Sequence, residues 1–230
     1  MPNDGSFDPS LLVFAALAVF VIWKLRSVLG MRSDRDSAEP SRFQPLGAPS
    51  RNPQFEPRPA GAAASAENAD RWRGMAEKGG EAWNGLEAIA AADPGFSGPA
   101  FMEGARKAYE MVVHAFAVGD RDTLRRLLSD EVCNNFLVEI NSREARGETM
   151  ESVLVSIDQA SVEDARALPR SNSITVRFSS KLITARKNKD GAVIEGDLER
   201  AAPIVDLWTF ARDPGSRDPN WKLVATEAAR

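Results

Sequence analysis

The sequence predicts an α+β protein: an apolar amino-terminal transmembrane helix, a disordered linker, and a cone-like domain of helices packed on a curved antiparallel sheet of about four strands. Three observations carry this. Residues 11–23 form a charge-free run, LLVFAALAVFVIW. Apolar residues then recur at helical spacing through residues 101–140. After Gly147 the hydrophobic period changes to two, as in strands with one buried face. Helices followed by a run of strands place the helices on one face of a sheet.

A spanning helix needs about 20 apolar residues. The uncharged run is shorter, but Lys24 and Arg26 can snorkel and let the helix continue to Leu29. Leu11, Phe14, Phe20 and Trp23 are the expected anchor residues, with Trp23 at the interface. A cleaved signal would need a basic start and a small-residue cleavage site, whereas Asp4 and Asp8 precede this run. Lys24, Arg26, Arg32 and Arg35 follow it, so the positive-inside rule puts the amino terminus outside and the remainder in the cytoplasm. Residues 1–31 are therefore expected to be a single-pass anchor.

Residues 32–69 contain Pro40, Pro45, Pro49, Pro53, Pro57 and Pro59 among Ser, Arg, Gly and Ala, without a hydrophobic period. Such a composition cannot bury enough apolar surface to offset ordering entropy, so a disordered tether with a reach of ~30–40 Å is expected. Residues 70–93 are expected to form an amphipathic helix ahead of the domain, with Trp72, Met75, Trp83, Leu86 and Ile89 on one face. Gly74, Gly79, Gly80 and Gly85 weaken it, and Asp93-Pro94-Gly95 stops it. Trp72 and Trp83 either touch a membrane surface or partner, or pack on the domain as a satellite.

The domain itself is expected over 94–230. Pro99 suits a first helical turn and Gly119 a helix end. Asp120 and Ser129 are caps for a short second and a longer third helix, which Gly147 terminates. Val153, Val155 and Ile157 alternate with polar residues, and a kink is expected near Asp158 to Ser161. Ile174, Val176, Phe178 and Leu182 form the next strand, Asn188-Asp190-Gly191 a turn, and Ile204 to Phe210 and Trp221 to Ala225 the last two.

Several function classes are excluded or narrowed by composition. A net charge of −4 argues against a nucleic-acid partner. The single cysteine, Cys133, cannot form an internal disulfide or a cysteine-rich zinc site. The single histidine, His114, lies off the apolar face of its helix and is expected at the surface, so no catalytic constellation, metal or cofactor is expected.

Phe101, Tyr109, Phe116, Phe178, Trp208 and Trp221 are the candidates to line a cavity inside the cone. Asp206 shares a strand face with Trp208. A carboxylate there has a raised pKa and can act as a base, or is paired, with Arg177 or Arg212 as partners. Arg177, Lys181, Arg186, Lys187 and Lys189 concentrate on one hairpin. They suit contact with an anionic membrane surface, at ~1 kcal/mol per residue, or protection of a strand edge.

Five blocks of the sequence resemble, in order, those of the Tim44-like domain family: FMEGARKAYEMVVHAFAVGDRDTLRRLLSDEVCNNF beginning at Phe101, INSREARGET at Ile140, VRFSSKLITA at Val176, VDLWTFARD at Val205 and DPNWKLVAT at Asp218. The resemblance covers about 94–226. It implies a fold related to nuclear transport factor two with a large apolar pocket, association with a membrane, and scaffolding of other proteins. The mitochondrial member recruits an Hsp-seventy motor to a protein-conducting channel, through an amino-terminal segment replaced here by the anchor and tether. Together with the anchor, the resemblance implies a non-enzymatic adaptor of a bacterial inner membrane. Its expected partners are inner-membrane lipids and membrane or chaperone proteins. The alternatives are a cone-fold enzyme acting on a small hydrophobic substrate and a lipid-binding accessory subunit.

Overall fold

The structure, a computed structural model, describes residues 71–216 and 218–229. The expected anchor, with Leu11, Phe14, Phe20 and Trp23, and the expected tether lie outside the described residues. Among the described residues no helix is long and apolar enough to cross a membrane.

The helix expected from residue 70 begins only at Glu81. Gly74 and Gly79 adopt positive φ of 77° and 79°, so the chain turns through residues 71–79 before helix α1 (Glu81–Ala92) starts. The apolar face of α1 does not look outward. Trp83, Leu86 and Ile89 are buried against strand β1 (Thr149–Leu168). Gly85 is a necessity of that approach, because a Cβ there would stand 1.8 Å from the carbonyl oxygen of Ala165.

Trp72 is 1% exposed. Its ring packs on Phe96 at 5.8 Å, and its Nε1 donates to Glu87 Oε1 at 2.7 Å. A Cβ at Gly98 would sit 2.5 Å from the same ring. The membrane-surface role expected for Trp72 and Trp83 is therefore corrected: both are core residues, and the segment expected to precede the domain shares its core.

The remaining helices follow their caps. Ser97 accepts from Ala100 N and opens α2 (Gly98–Val118), which Gly119 closes at φ 75°. Asp120 accepts from Thr123 N at 3.0 Å and caps α3 (Arg121–Leu127). Ser129 caps α4 (Asp130–Ala145), and Gly147 follows its end at φ 67°.

Strands β1, β2 (Ser171–Lys187), β3 (Val193–Arg212) and β4 (Lys222–Ala228) form one antiparallel sheet in sequential order. Register shifts at Leu154/Ser156, Ile157/Gln159 and Val162/Asp164 interrupt the β1–β2 ladder. Bulges of this kind bend a strand and increase its twist, which curls the sheet around α2. The kink expected at Asp158 to Ser161 coincides with the middle one.

Two corrections concern strand faces and lengths. Val153 and Val155 are 57% and 53% exposed, on the side away from the helices. Strand β3 starts at Val193, well before Ile204. Between the pairs Thr184↔Asp197 and Leu182↔Ala202 the longer strand bulges out residues 198–201. Gly196, at φ 82°, makes the bulge possible, since a Cβ there would lie 2.1 Å from Thr184 O.

Candidate functional site

Polar groups are concentrated inside the carboxyl-terminal half of α2. Helical spacing carries Tyr109 to the sheet, where its ring lies 4.6 Å from both Phe178 on β2 and Trp208 on β3. Its hydroxyl donates to Asp206 Oδ2 at 2.6 Å. The phenolic proton is then committed, so Ser180, 2.9 Å away, donates to the phenol oxygen. The result is a buried chain from Ser180 through Tyr109 to Asp206.

Asp206 is 8% exposed and has no ion-pair partner among the described residues. Burial pushes its carboxyl up to about 6, with the Tyr109 hydrogen bond pulling the other way. Burial, and then the charge and hydrogen bonding of Asp206, raise the Tyr109 phenol above its ordinary range. Neither arginine expected beside Asp206 pairs with it. Arg212 forms an ion pair with Asp93, and Arg177 stands opposite Leu207 in the outward-facing register of β2 and β3.

The single cone cavity expected from the sequence is divided among several hollows. Asp206, Trp208, Phe116 and Phe136 line one of ≈ 60 Å³. Phe116 also borders a groove of ≈ 300 Å³ with Met150, Leu182 and Ile204. Phe101 and Trp221 belong elsewhere, in a groove of ≈ 550 Å³ with Phe96 and Phe210. Tyr109 and Phe178 are fully buried between these spaces and line none of them.

Sequence reasoning missed Arg143. It is 4% exposed, yet among the described residues it meets no carboxylate within ion-pair distance. Its guanidinium donates to the carbonyl oxygens of Phe116 and Ala117 at 2.9 and 3.0 Å, and it lies over the Phe116 ring at 5.3 Å. The negative end of α2 thus takes the place of a carboxylate. Burial lowers the Arg143 pKa from its ordinary value. The only sequence signal was a basic residue in the last turn of α4, which reads as ordinary dipole compensation.

The basic hairpin is largely neutralised. Lys181 pairs with Asp158 at 2.9 Å, Lys187 with Glu151 at 2.6 Å, and Arg186 with Glu148 and Glu195. Lys189 is exposed at the turn. His114 is exposed on α2, on a different face from Tyr109, so histidine and buried carboxylate are not brought together. Cys133 is a buried free thiol whose pKa is raised by burial. Among the described residues no group of three or more His, Cys, Asp or Glu stands close enough to hold a metal ion.

Residues 82–228, α1 through β4, match the Tim44-like domain. The chain belongs to that family. A Tim44-like relative, mitochondrial import inner membrane translocase subunit TIM44-1 of Arabidopsis thaliana, is 25% identical over 122 residues, covering 53% of this chain and 26% of the relative. Human mitochondrial import inner membrane translocase subunit TIM44 is 22% identical over 147 residues, covering 63% and 32%. The chain thus spans about a quarter to a third of the length of these relatives.

Among solved structures, the Tim44-like domain is similar to the intermembrane space region of the chloroplast protein ARC6, with 8% identity, a TM-score of 0.41, and 58% of this chain and 96% of the other covered. It is also similar to a protein from Streptomyces avermitilis described as a dehydratase of the NTF2-like family, with 15% identity, a TM-score of 0.33, and coverage of 56% and 95%.

Proposed function

We propose that this chain is a membrane-tethered adaptor of a bacterial inner membrane, and that its Tim44-like domain binds other proteins during translocation or membrane-protein assembly. The observation that carries this reading is the family match, which spans α1 to β4, combined with relatives named as subunits of a mitochondrial inner-membrane translocase. The anchor read in residues 1–31 and the tether in 32–69 keep the domain near the bilayer, on its cytoplasmic side. Separation of His114 from Asp206 gives the domain's interior no acid–base pair of the usual kind, which favours binding over turnover. Crosslinking in intact membranes, followed by identification of the crosslinked proteins, tests the reading. Membrane or chaperone proteins should be captured, and the chain should stay with the membranes through a carbonate wash. Release by carbonate, with no crosslinked protein, sinks it.

A second reading, lipid binding, is favoured by the groove of ≈ 300 Å³, whose apolar floor is bordered by Arg143, Arg186 and Arg200, with Glu139, Glu195 and Asp197 in the same lining, so that Arg200 is the arginine left to meet an anionic headgroup. Vesicles with and without anionic lipid, offered to residues 71–230, test it. Binding that requires anionic lipid and is lost in Arg200→Glu supports it, and equal recovery without vesicles rejects it.

A further inference from the structure

The hollow beside Asp206 presents a chemistry that the adaptor reading does not use. Its wall is apolar and aromatic on most sides, with Val112, Phe116, Phe136 and Trp208. Four residues with oxygen-bearing side chains interrupt that wall: Asp206, Ser152, Thr226 and Glu227, with the Ser152 hydroxyl already 3.0 Å from that of Thr184. Among the described residues, no lysine, arginine or histidine lines the hollow. Tyr109 occupies Asp206 Oδ2, whereas Oδ1 receives no side-chain hydrogen bond among the described residues. A carboxylate removed from water with one neutral donor is under-compensated, and burying such a charge without a counter-ion is expensive.

We propose that this cavity binds a primary ammonium group on a short unbranched aliphatic stem, carried either by a free alkylamine or by a lysine side chain of another polypeptide. An ammonium brings three donors, and the wall offers a carboxylate and two hydroxyl groups to receive them. Its charge supplies the missing counter-ion for Asp206, and Trp208 and Phe136 in the lining are aromatic groups of the kind that attract cations. Phe116 is already engaged by the Arg143 guanidinium, at 5.3 Å from its centroid. That cation is committed to the carbonyls of α2 and borders the neighbouring groove rather than this hollow.

Size limits the stem. A volume of ≈ 60 Å³ corresponds to a few water-sized units, at roughly 10–15 Å³ each. A butylammonium ion or the outer part of a lysine side chain fits that space. The other titratable groups near Asp206 are Tyr109 on α2, whose pKa is raised, and Glu227 on β4 at the rim. Neither gains positive charge, so neither competes with the ligand.

The proposal goes beyond the adaptor reading and stands or falls separately from it. Titration calorimetry of the full chain with n-butylammonium at pH 8 tests it, with n-butanol and tetramethylammonium as controls. Butylammonium should bind, and both controls should bind at least tenfold more weakly, one lacking the charge and the other the donors. Lowering the pH to 5 neutralises Asp206 without changing the ligand's charge, and should also weaken binding at least tenfold. Asp206→Asn should do the same at pH 8. Val113→Phe, which narrows the hollow without touching the carboxylate, decides the matter if Asp206→Asn fails to fold. A peptide with one lysine that binds as well as butylammonium identifies a partner's lysine as the source, and binding of the free amine alone identifies a small molecule. Absence of binding at pH 8, equal affinity for n-butanol, or affinity unchanged at pH 5 overturns the proposal.

Discussion

The two ends of helix α2 are built on opposite principles. Its amino-terminal end is built from rings, which also wall the groove of ≈ 550 Å³: Phe101 meets Trp221 at 4.9 Å, Phe210 at 5.9 Å and Phe96 at 6.2 Å, and Phe96 meets Trp72. Edge-to-face and tilted contacts of this sort add stability beyond the area they bury. Its carboxyl-terminal end buries a carboxylate on one side and a guanidinium on the other, each bonded to neutral groups and, among the described residues, neither paired with an opposite charge. The first end is arranged for stability. The second gives up stability to keep polar groups in an apolar setting, which is the pattern expected where a protein binds something.

Substitutions at the two ends test that contrast. The largest loss is expected for Trp72→Ala, about 3–5 kcal/mol, because a fully buried indole leaves a cavity among Phe96 and Gly98 that the sheet cannot collapse to fill. Chemical denaturation measures it. Arg143→Met should cost about 2 kcal/mol by the same assay, since two buried carbonyls of α2 lose their donors. A loss as large as that of Trp72→Ala would mean that the polar end is structural after all.

Asp206→Asn should act in the other direction, and only at the higher pH. The folded-state pKa of about 6 lies above the ordinary carboxylate value, so wild-type stability from this group is full below about pH 4 and declines as pH rises through about 6. The amide escapes that penalty. The variant should therefore be more stable than the wild type by on the order of 2 kcal/mol at pH 8, and no more stable near pH 4. Denaturation curves across this range give the difference directly. Val153→Thr, on the outward face of β1, should change stability by less than about 0.5 kcal/mol, whichever end of α2 matters more.

Local signals made most of the scaffold legible. Pro99, Gly119, Asp120, Ser129 and Gly147 each mark a helix boundary where the sequence indicated one, because first-turn prolines, caps and left-handed glycines are decided by a few neighbouring residues. The outward placement of Val153 and Val155 was not legible, since a period of two fixes alternation but not which set faces in. Three register shifts in β1 also reset that alternation along the strand. In the candidate site, Asp206 and Trp208 could be placed on one face from spacing alone. Tyr109 as the partner of Asp206 could not, because 97 residues separate them and only the closed sheet brings them to 2.6 Å. Trp83 misled for a related reason: an amphipathic stripe announces that something will cover it, and the surface that covers α1, β1, lies far along the chain.

The turn ahead of α1 also determines how the domain responds to force. Val162 N on β1 donates to Met75 O at 2.7 Å, and Trp72 is plugged beneath Phe96 a few residues earlier. Any tension entering from the amino-terminal side meets this bolt before it reaches α2 or the other strands. A pull from that side therefore loads β1, through Val162, ahead of the hollow beside Asp206 at the far end of α2.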